Sequence, residues 1–299
     1  MRRVPLCALA IAGAFVGFVA GSVLRIRRRH VEWSMGAAAI ARPASRATEM
    51  YRALGVSAME FLWLSLSGGR ALEHVRLEPS SRGHWLAALS RGRGVVVAAS
   101  HTGNWDLAAC AMAREIELLV VTKQLKVRWL DRFWQKTRAA RGLVLAHGGG
   151  VMKRSREMLR RGGAVAMMID QVPASPKHAV AIDFLGRPAL VDRSPAVLAA
   201  SARAPLVVAA ACREKDGNQT LHVLEVLWPP ERSSRAWVDA ATRSYTRALE
   251  RFVRAHPSQW LWLHRRWKGL DRSTGEAMLG APCLSTIRSS SPAARSKAG

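Results

Sequence analysis

Five consecutive residues, Val95-Val96-Val97-Ala98-Ala99, offer water no polar face, and Gly92 and Gly94 stand just before them. A strand of that kind must be covered on both sides, as happens inside a parallel sheet flanked by helices. Comparable apolar runs follow at 118–121, 143–145, 164–169, 204–209 and 221–226. Helical patterns separate them at 107–114, through Trp129 and Arg138, and at 152–161, with a final amphipathic helix at 239–255. Strands alternating with helices specify an α/β fold, a mostly parallel central sheet flanked by helices. Upstream, residues 31–90 read as helical, because Met50, Leu54, Phe61 and Leu62 recur near a helical period.

From Pro5 to Leu24 the chain carries no charge, which matches the roughly 20 residues a helix needs to cross a bilayer core. Arg2 and Arg3 precede the run, and Arg25, Arg27, Arg28 and Arg29 follow it. A cleaved signal peptide shares the basic start and apolar stretch, but the run is long for one. Translocating the arginine cluster behind it is also disfavoured. The expectation is therefore one retained N-terminal transmembrane helix, with the rest of the chain on the cytoplasmic side. The organisation expected is an anchor with its basic flank (1–30), a catalytic domain (31–271) and a Ser/Pro/Ala-rich disordered tail (272–299).

Lys and Arg total 46 against 21 Asp and Glu, a formal net charge of +25, which argues for an anionic partner. A nucleic-acid-binding or scaffold role would use that charge, yet no binding motif, zinc pattern or basic repeat accompanies it. Such a role also leaves the apolar N-terminus without a purpose. Cys7, Cys110, Cys212 and Cys283 show no metal-ligand or disulfide spacing, and Cys110 and Cys212 sit in apolar runs as small core residues. The nine histidines form no H-x-x-H or H-E-x-x-H cluster, so neither a metal nor another cofactor is expected. Eleven tryptophans against two tyrosines suit a protein at a lipid–water boundary.

Ligands of open parallel sheets sit beyond the carboxyl ends of the strands, where both His101 and Asp170 fall. His101 and Asp106 are five apart, so a contact between them requires a turn, which Gly103 can supply. A carboxylate beside an imidazole fixes its tautomer and stabilises the imidazolium formed when the ring takes a proton. Alone, an H-x-x-x-x-D spacing is a weak pattern, better described as a loop histidine followed by an acidic helix start.

The run His101-Thr-Gly-Asn-Trp-Asp106-Leu resembles the first block of the bacterial lipid A late acyltransferases, within the wider H(X)4D/E glycerolipid acyltransferase group. Further blocks follow in order: Lys123 with Leu130-Asp131 and Arg138-Ala-Ala-Arg-Gly142, then Gly163 through Asp170-Gln171, then Asp183 to Ala189. Pro257-Ser-Gln259-Trp260-Leu-Trp262-Leu-His264-Arg265-Arg266-Trp267-Lys268 is the most specific match. The resemblance implies His101 as general base with Asp106 as its orienter. It also implies Asn104, Lys123, Arg138, Asp170, Gln171 and Arg187 as substrate-binding residues, with Lys123 and Arg138 suited to phosphate. The implied reaction moves a fatty acyl chain from an acyl carrier protein, or acyl-CoA, to a hydroxyl of a membrane lipid, a lipid A precursor first. Trp260, Trp262 and Trp267 have a packing reading, and Arg265 and Arg266 an expected contact with an anionic membrane surface. Two departures bear on the acceptor: Val127-Arg128 replaces a frequent Asn-Pro, and Asp106 stands where many members carry Glu.

Overall fold

The computed structural model describes residues 6–268 apart from 174 and 233; the expected tail at 272–299 lies outside the described residues. The chain opens with helix α1 (Leu6–Phe18), which runs on through a π-helical turn at Val19–Val23. Two helices follow, α2 (Arg28–Ala37) and α3 (Pro43–Leu66), then strand β1 (Val75–Leu77) and α4 (Pro79–Leu89). The alternating part comprises β2 (Val95–Ala99), α5 (Trp105–Met112), β3 (Leu118–Val121), α6 (Arg128–Ala139), β4 (Leu143–Ala146), α7 (Val151–Arg160) and β5 (Ala164–Met168). A hairpin, β6 (Ala179–Phe184) with β7 (Arg187–Asp192), precedes α8 (Ser194–Ala202), β8 (Leu206–Arg213), β9 (Gln219–Leu227) and α9 (Arg235–Ala255).

The main sheet has the order β1-β9-β8-β2-β5-β3-β4, and its neighbours run parallel except β8 and β9. That exception follows from the connection. Parallel strands need a long crossover, whereas residues 214–218 form a tight turn with Gly217 at φ +85°. The hairpin β6–β7 turns likewise through Leu185 and Gly186, both at positive φ. Strand β1 and the β6–β7 hairpin are additions to the elements read from the sequence. Three residues are too few to show a period, and the mark of the hairpin is the short turn through Leu185 and Gly186 rather than a repeat.

Alternate residues of the central strand serve two separate cores. Val96 and Ala98 pack with Met158 of α7, Leu198 of α8 and Leu249 of α9. Val95 and Val97 pack with Phe61 of α3, Trp85 of α4 and Leu107 of α5 on the opposite face. The strand is apolar throughout because both faces are roofed.

Helix α1 is docked along α3 rather than standing free. A Cβ at Gly17 would lie 2.0 Å from the Tyr51 carbonyl oxygen, and one at Gly55 would lie 2.1 Å from that of Gly13. Only glycine permits that approach. The opposite side of α1 is apolar and open, with Ile11, Phe15 and Val16 each more than half exposed. Leu6–Val23 is long and apolar enough to cross a membrane. Arg28 fastens the junction, reaching Ser22, Thr48 and the Ala44 carbonyl while pairing with Glu32. Forcing bulk into a close-packed seam costs about 1–3 kcal/mol. Gly17→Leu is thus expected to lower the unfolding midpoint in detergent and to expose the 18–28 stretch to protease. Unchanged midpoint and cleavage would show that the seam contributes nothing.

Candidate active site

Strands β2 and β5 are paired in parallel, with Ala99 opposite Met168. Two residues beyond that pair the chain reaches His101 on one strand and Asp170 on the other, so register alone brings them together. The Asp170 carboxylate is fully buried. Its Oδ1 lies 2.9 Å from His101 Nδ1, and its Oδ2 accepts the His101 backbone N–H at 2.8 Å and the Trp260 indole N–H at 2.9 Å. Burial alone would push this carboxyl up. The positive charge His101 carries when protonated and the three N–H donors outweigh it and hold the carboxyl well below the usual range.

The ring's carboxylate partner is therefore Asp170, and not Asp106 as the family resemblance implied. Gly103 does supply the turn, at φ +53°, where a Cβ would sit 2.7 Å from the Ala211 carbonyl oxygen. Asp106 then enters the first turn of α5, but its carboxylate faces α6. Oδ1 accepts from Arg138 Nε at 2.8 Å and lies 2.6 Å from Arg138 Nη2, while Oδ2 accepts the Trp134 indole N–H at 3.0 Å. Burial pushes the Asp106 carboxyl above its ordinary value, against the opposing pull of the Arg138 guanidinium. The physical reason for the changed partner is tertiary packing. From its place in α5 the Asp106 carboxylate is taken up by Trp134 and Arg138 of α6, while the β2–β5 register sets Asp170 beside the ring.

Asn104 is also displaced from its expected role. It is buried, caps α5 by accepting the Leu107 N–H, and donates its amide to Glu60 at 2.7 Å. Glu60 in turn forms a buried ion pair with Arg213 of β8. This network, absent from the sequence reading, ties α3 and the sheet to the back of the His101 loop. Arg187 lies with its guanidinium over the rings of Trp33 and Trp267. Arg266, expected at a membrane surface, is instead buried, donating to the Leu190 carbonyl at 2.5 Å and lying over Phe184.

The C-terminal block closes the site. The Leu261 N–H donates to the His101 carbonyl at 3.0 Å, the Gly103 N–H donates to that of Gln259 at 2.9 Å, and Trp260 and Trp262 are both buried. His264 comes to 5.1 Å from His101, ring to ring. Burial, the neighbouring His101 and the cations Lys123 and Arg27 pull His264 down to about 4, with Asp170 opposing. The same segment meets the N-terminal region, where Arg27 donates to the Leu263 carbonyl and His30 Nε2 lies 3.2 Å from that of His264. His264 lies within the C-terminal block, and its place beside His101 is not visible in the sequence. A single histidine between tryptophans carries no spacing signal.

In front of this cluster lies a cavity of about 530 Å³. His101, Asp106, Lys123, Arg138 and Gln171 form part of its wall, and Ala109, Met112, Leu118, Leu143 and Ala166 line its apolar depth. It runs beneath α5 against the sheet face that carries Val97. Its size and mostly apolar lining match a small-molecule or acyl site.

Residues 2–269 match the model of the bacterial lipid A biosynthesis acyltransferase family. The chain belongs to that family. Over 189 residues it is 28% identical to a phosphatidylinositol mannoside acyltransferase of Mycobacterium tuberculosis (strain ATCC 25618 / H37Rv), covering 62% of this chain and 58% of the relative. A protein of the same name from Mycolicibacterium smegmatis (strain ATCC 700084 / mc(2)155) is 26% identical, with 62% and 60% covered. The matched part of the chain thus spans less than two thirds of these relatives' length.

The Asp106–Arg138 pair generates a direct test. Removing one partner of a buried ion pair costs about 3–5 kcal/mol, because the remaining charge is left uncompensated. Arg138→Ala should lower the thermal midpoint by several degrees, while Arg138→Lys recovers only part, since an ammonium cannot reproduce the two-atom contact. Circular dichroism melts decide the matter. Identical midpoints for wild type and Arg138→Ala would remove Arg138 from the framework of the site.

Proposed function

We propose that the protein is an O-acyltransferase that moves a fatty acyl chain from an acyl thioester to a hydroxyl of a membrane glycolipid. The observation that carries this reading is the His101–Asp170 pair at the polar end of the apolar cavity. An alcohol is acidic only far above neutrality, so its attack on a thioester needs a base that takes the proton as the bond forms. With Nδ1–H donated to Asp170, the His101 ring presents the lone pair of Nε2 to the cavity. The acceptor oxygen attacks the thioester carbon while its proton passes to Nε2. The C–S bond then breaks, and the departing sulfur recovers the proton from the imidazolium. Asp170 stabilises the charged ring between these events, and the apolar depth takes the acyl chain.

Family membership supports a lipid A precursor as acceptor, with the reaction in lipopolysaccharide synthesis. The mycobacterial relatives, named for a phosphatidylinositol mannoside, support a second reading in which another glycolipid accepts. Lys123 and Arg138 on the cavity wall fit the phosphate that both classes carry. An acyl carrier protein is the favoured donor, because a +25 chain attracts an acidic protein by long-range steering; acyl-CoA is the alternative. The apolar outer face of α1, followed by Arg25, Arg27 and Arg29, supports an inner-membrane anchor with the catalytic side cytoplasmic. The domain division at 30 and 271 belongs to the same reading.

Acyl transfer measured with labelled carrier-protein and CoA thioesters, against lipid A precursor and phosphatidylinositol mannoside, tests both halves of the substrate proposal. His101→Ala should lose the general-base contribution of about 10²–10⁴-fold. Asp170→Asn should fall comparably, because an amide can hold the wrong tautomer and cannot stabilise the imidazolium. The double variant should be little worse than either, since residues acting as a unit fail together. A folded His101→Ala protein retaining more than about a tenth of wild-type turnover contradicts this chemistry.

A further inference from the structure

Gln171 follows Asp170 directly, and its side chain spans the two histidines. The amide nitrogen lies 3.3 Å from His101 Nε2 and 3.1 Å from His264 Nε2, and the amide oxygen lies 3.5 Å from Lys123 Nζ. The proton positions follow from the partners. His101 Nδ1 faces a carboxylate and so carries the hydrogen, which leaves Nε2 of the neutral ring as an acceptor. Only the N–H2 end of the amide can satisfy that lone pair, and its second hydrogen then points to His264 Nε2. The base is therefore capped: the one atom that must receive a proton is already accepting a hydrogen bond.

We propose that Gln171 is a displaceable cap on the catalytic base, which keeps water from using His101 to hydrolyse the thioester until an acceptor hydroxyl takes its place. The inference rests on the acyl-transfer reading given above. Water is the competitor of any alcohol in such a site, and it lacks nothing chemically. Its oxygen would attack the thioester carbon, its proton would pass to His101 Nε2, and the C–S bond would break to give a free fatty acid and a thiol. Gln171 occupies the position that this water needs.

The arrangement also explains how the cap can leave. Of the three contacts made by the side chain, the one to His101 is given up, while those to His264 and Lys123 can remain. His264 suits this use because it is held neutral by its surroundings and stays an acceptor at pH 7. A lipid acceptor, bound by many contacts beyond the reacting hydroxyl, can displace one hydrogen bond from a single atom. A water molecule gains nothing comparable from doing so. Gln171 is thus a positioning residue that acts through His101, setting the partition between transfer and hydrolysis.

The test measures free fatty acid and acylated lipid separately, with purified full-length protein, a radiolabelled acyl carrier protein thioester, and lipid A precursor either present or absent. Gln171→Ala removes the cap, and Gln171→Met keeps its approximate bulk without a donor. A net hydrogen bond of ordinary strength corresponds to roughly two- to tenfold in rate. Both variants should raise acceptor-free hydrolysis by about that factor and lower the ratio of transfer to hydrolysis. His264→Ala, which frees one end of the cap, should move the ratio in the same direction by less. If hydrolysis is unchanged in both Gln171 variants, or falls in step with transfer, the cap does not exist. His101→Ala separates this failure from failure of the underlying reading. Loss of both products there upholds the base, whereas persistence of both would remove it whatever the Gln171 variants do.

Discussion

A carboxylate with no contact to water cannot stay ionised unless its hydrogen bonds are nearly complete, and Asp170 meets that condition through three N–H groups. Two belong to His101 and one to Trp260. An ion in this position forfeits several kcal/mol of hydration, against which each charge-assisted hydrogen bond returns about 1.5–3 kcal/mol. The balance is favourable only with the whole set in place. The loop after β2, the end of β5 and the C-terminal block are therefore fixed by one group, and the ring orientation that the proposed chemistry needs is the orientation that satisfies Asp170.

Much of the fold was legible because the strands that build it are apolar on both faces, a pattern that leaves few architectures. The six runs beginning at Val95 all became strands of the main sheet. Lost were elements whose signal is local turn chemistry rather than period, above all the hairpin through Leu185 and Gly186. The site was legible as residue types and not as pairings. His101 and Asp170 could be placed at strand ends from the sequence, but that β2 lies next to β5 is a fact of sheet order. Without that adjacency, the nearest carboxylate along the chain was Asp106. The family resemblance implied the same His101–Asp106 pairing, and so did not correct it. Buried polar frameworks such as Glu60 with Arg213 escaped for a related reason, since a glutamate in an amphipathic helix reads as solvated until its neighbours are known.

The excess of positive charge has more than one use in the molecule. Arg28 is spent on internal contacts that join the end of the first apolar helix to α3. Arg138 neutralises Asp106, and Arg213 neutralises Glu60. Arg25, Arg27 and Arg29 remain exposed, with Arg27 donating to the Leu263 carbonyl next to His264. A count of charges alone does not separate these uses. The distinction matters for the attraction of an anionic partner, which depends on the charges left at the surface.

The contact between Trp260 and Asp170 spans ninety positions of sequence. Chains are made from the amino terminus, and segments fold as they emerge. A nascent chain that has completed β5 already owns both His101 and Asp170, yet lacks the indole for the carboxylate and the backbone partners for the histidine loop. Those arrive only with residues 259–261, after α9 has been made. The order of synthesis thus makes the geometry of the candidate site a late event. Its completion is coupled to translation almost through the described fold.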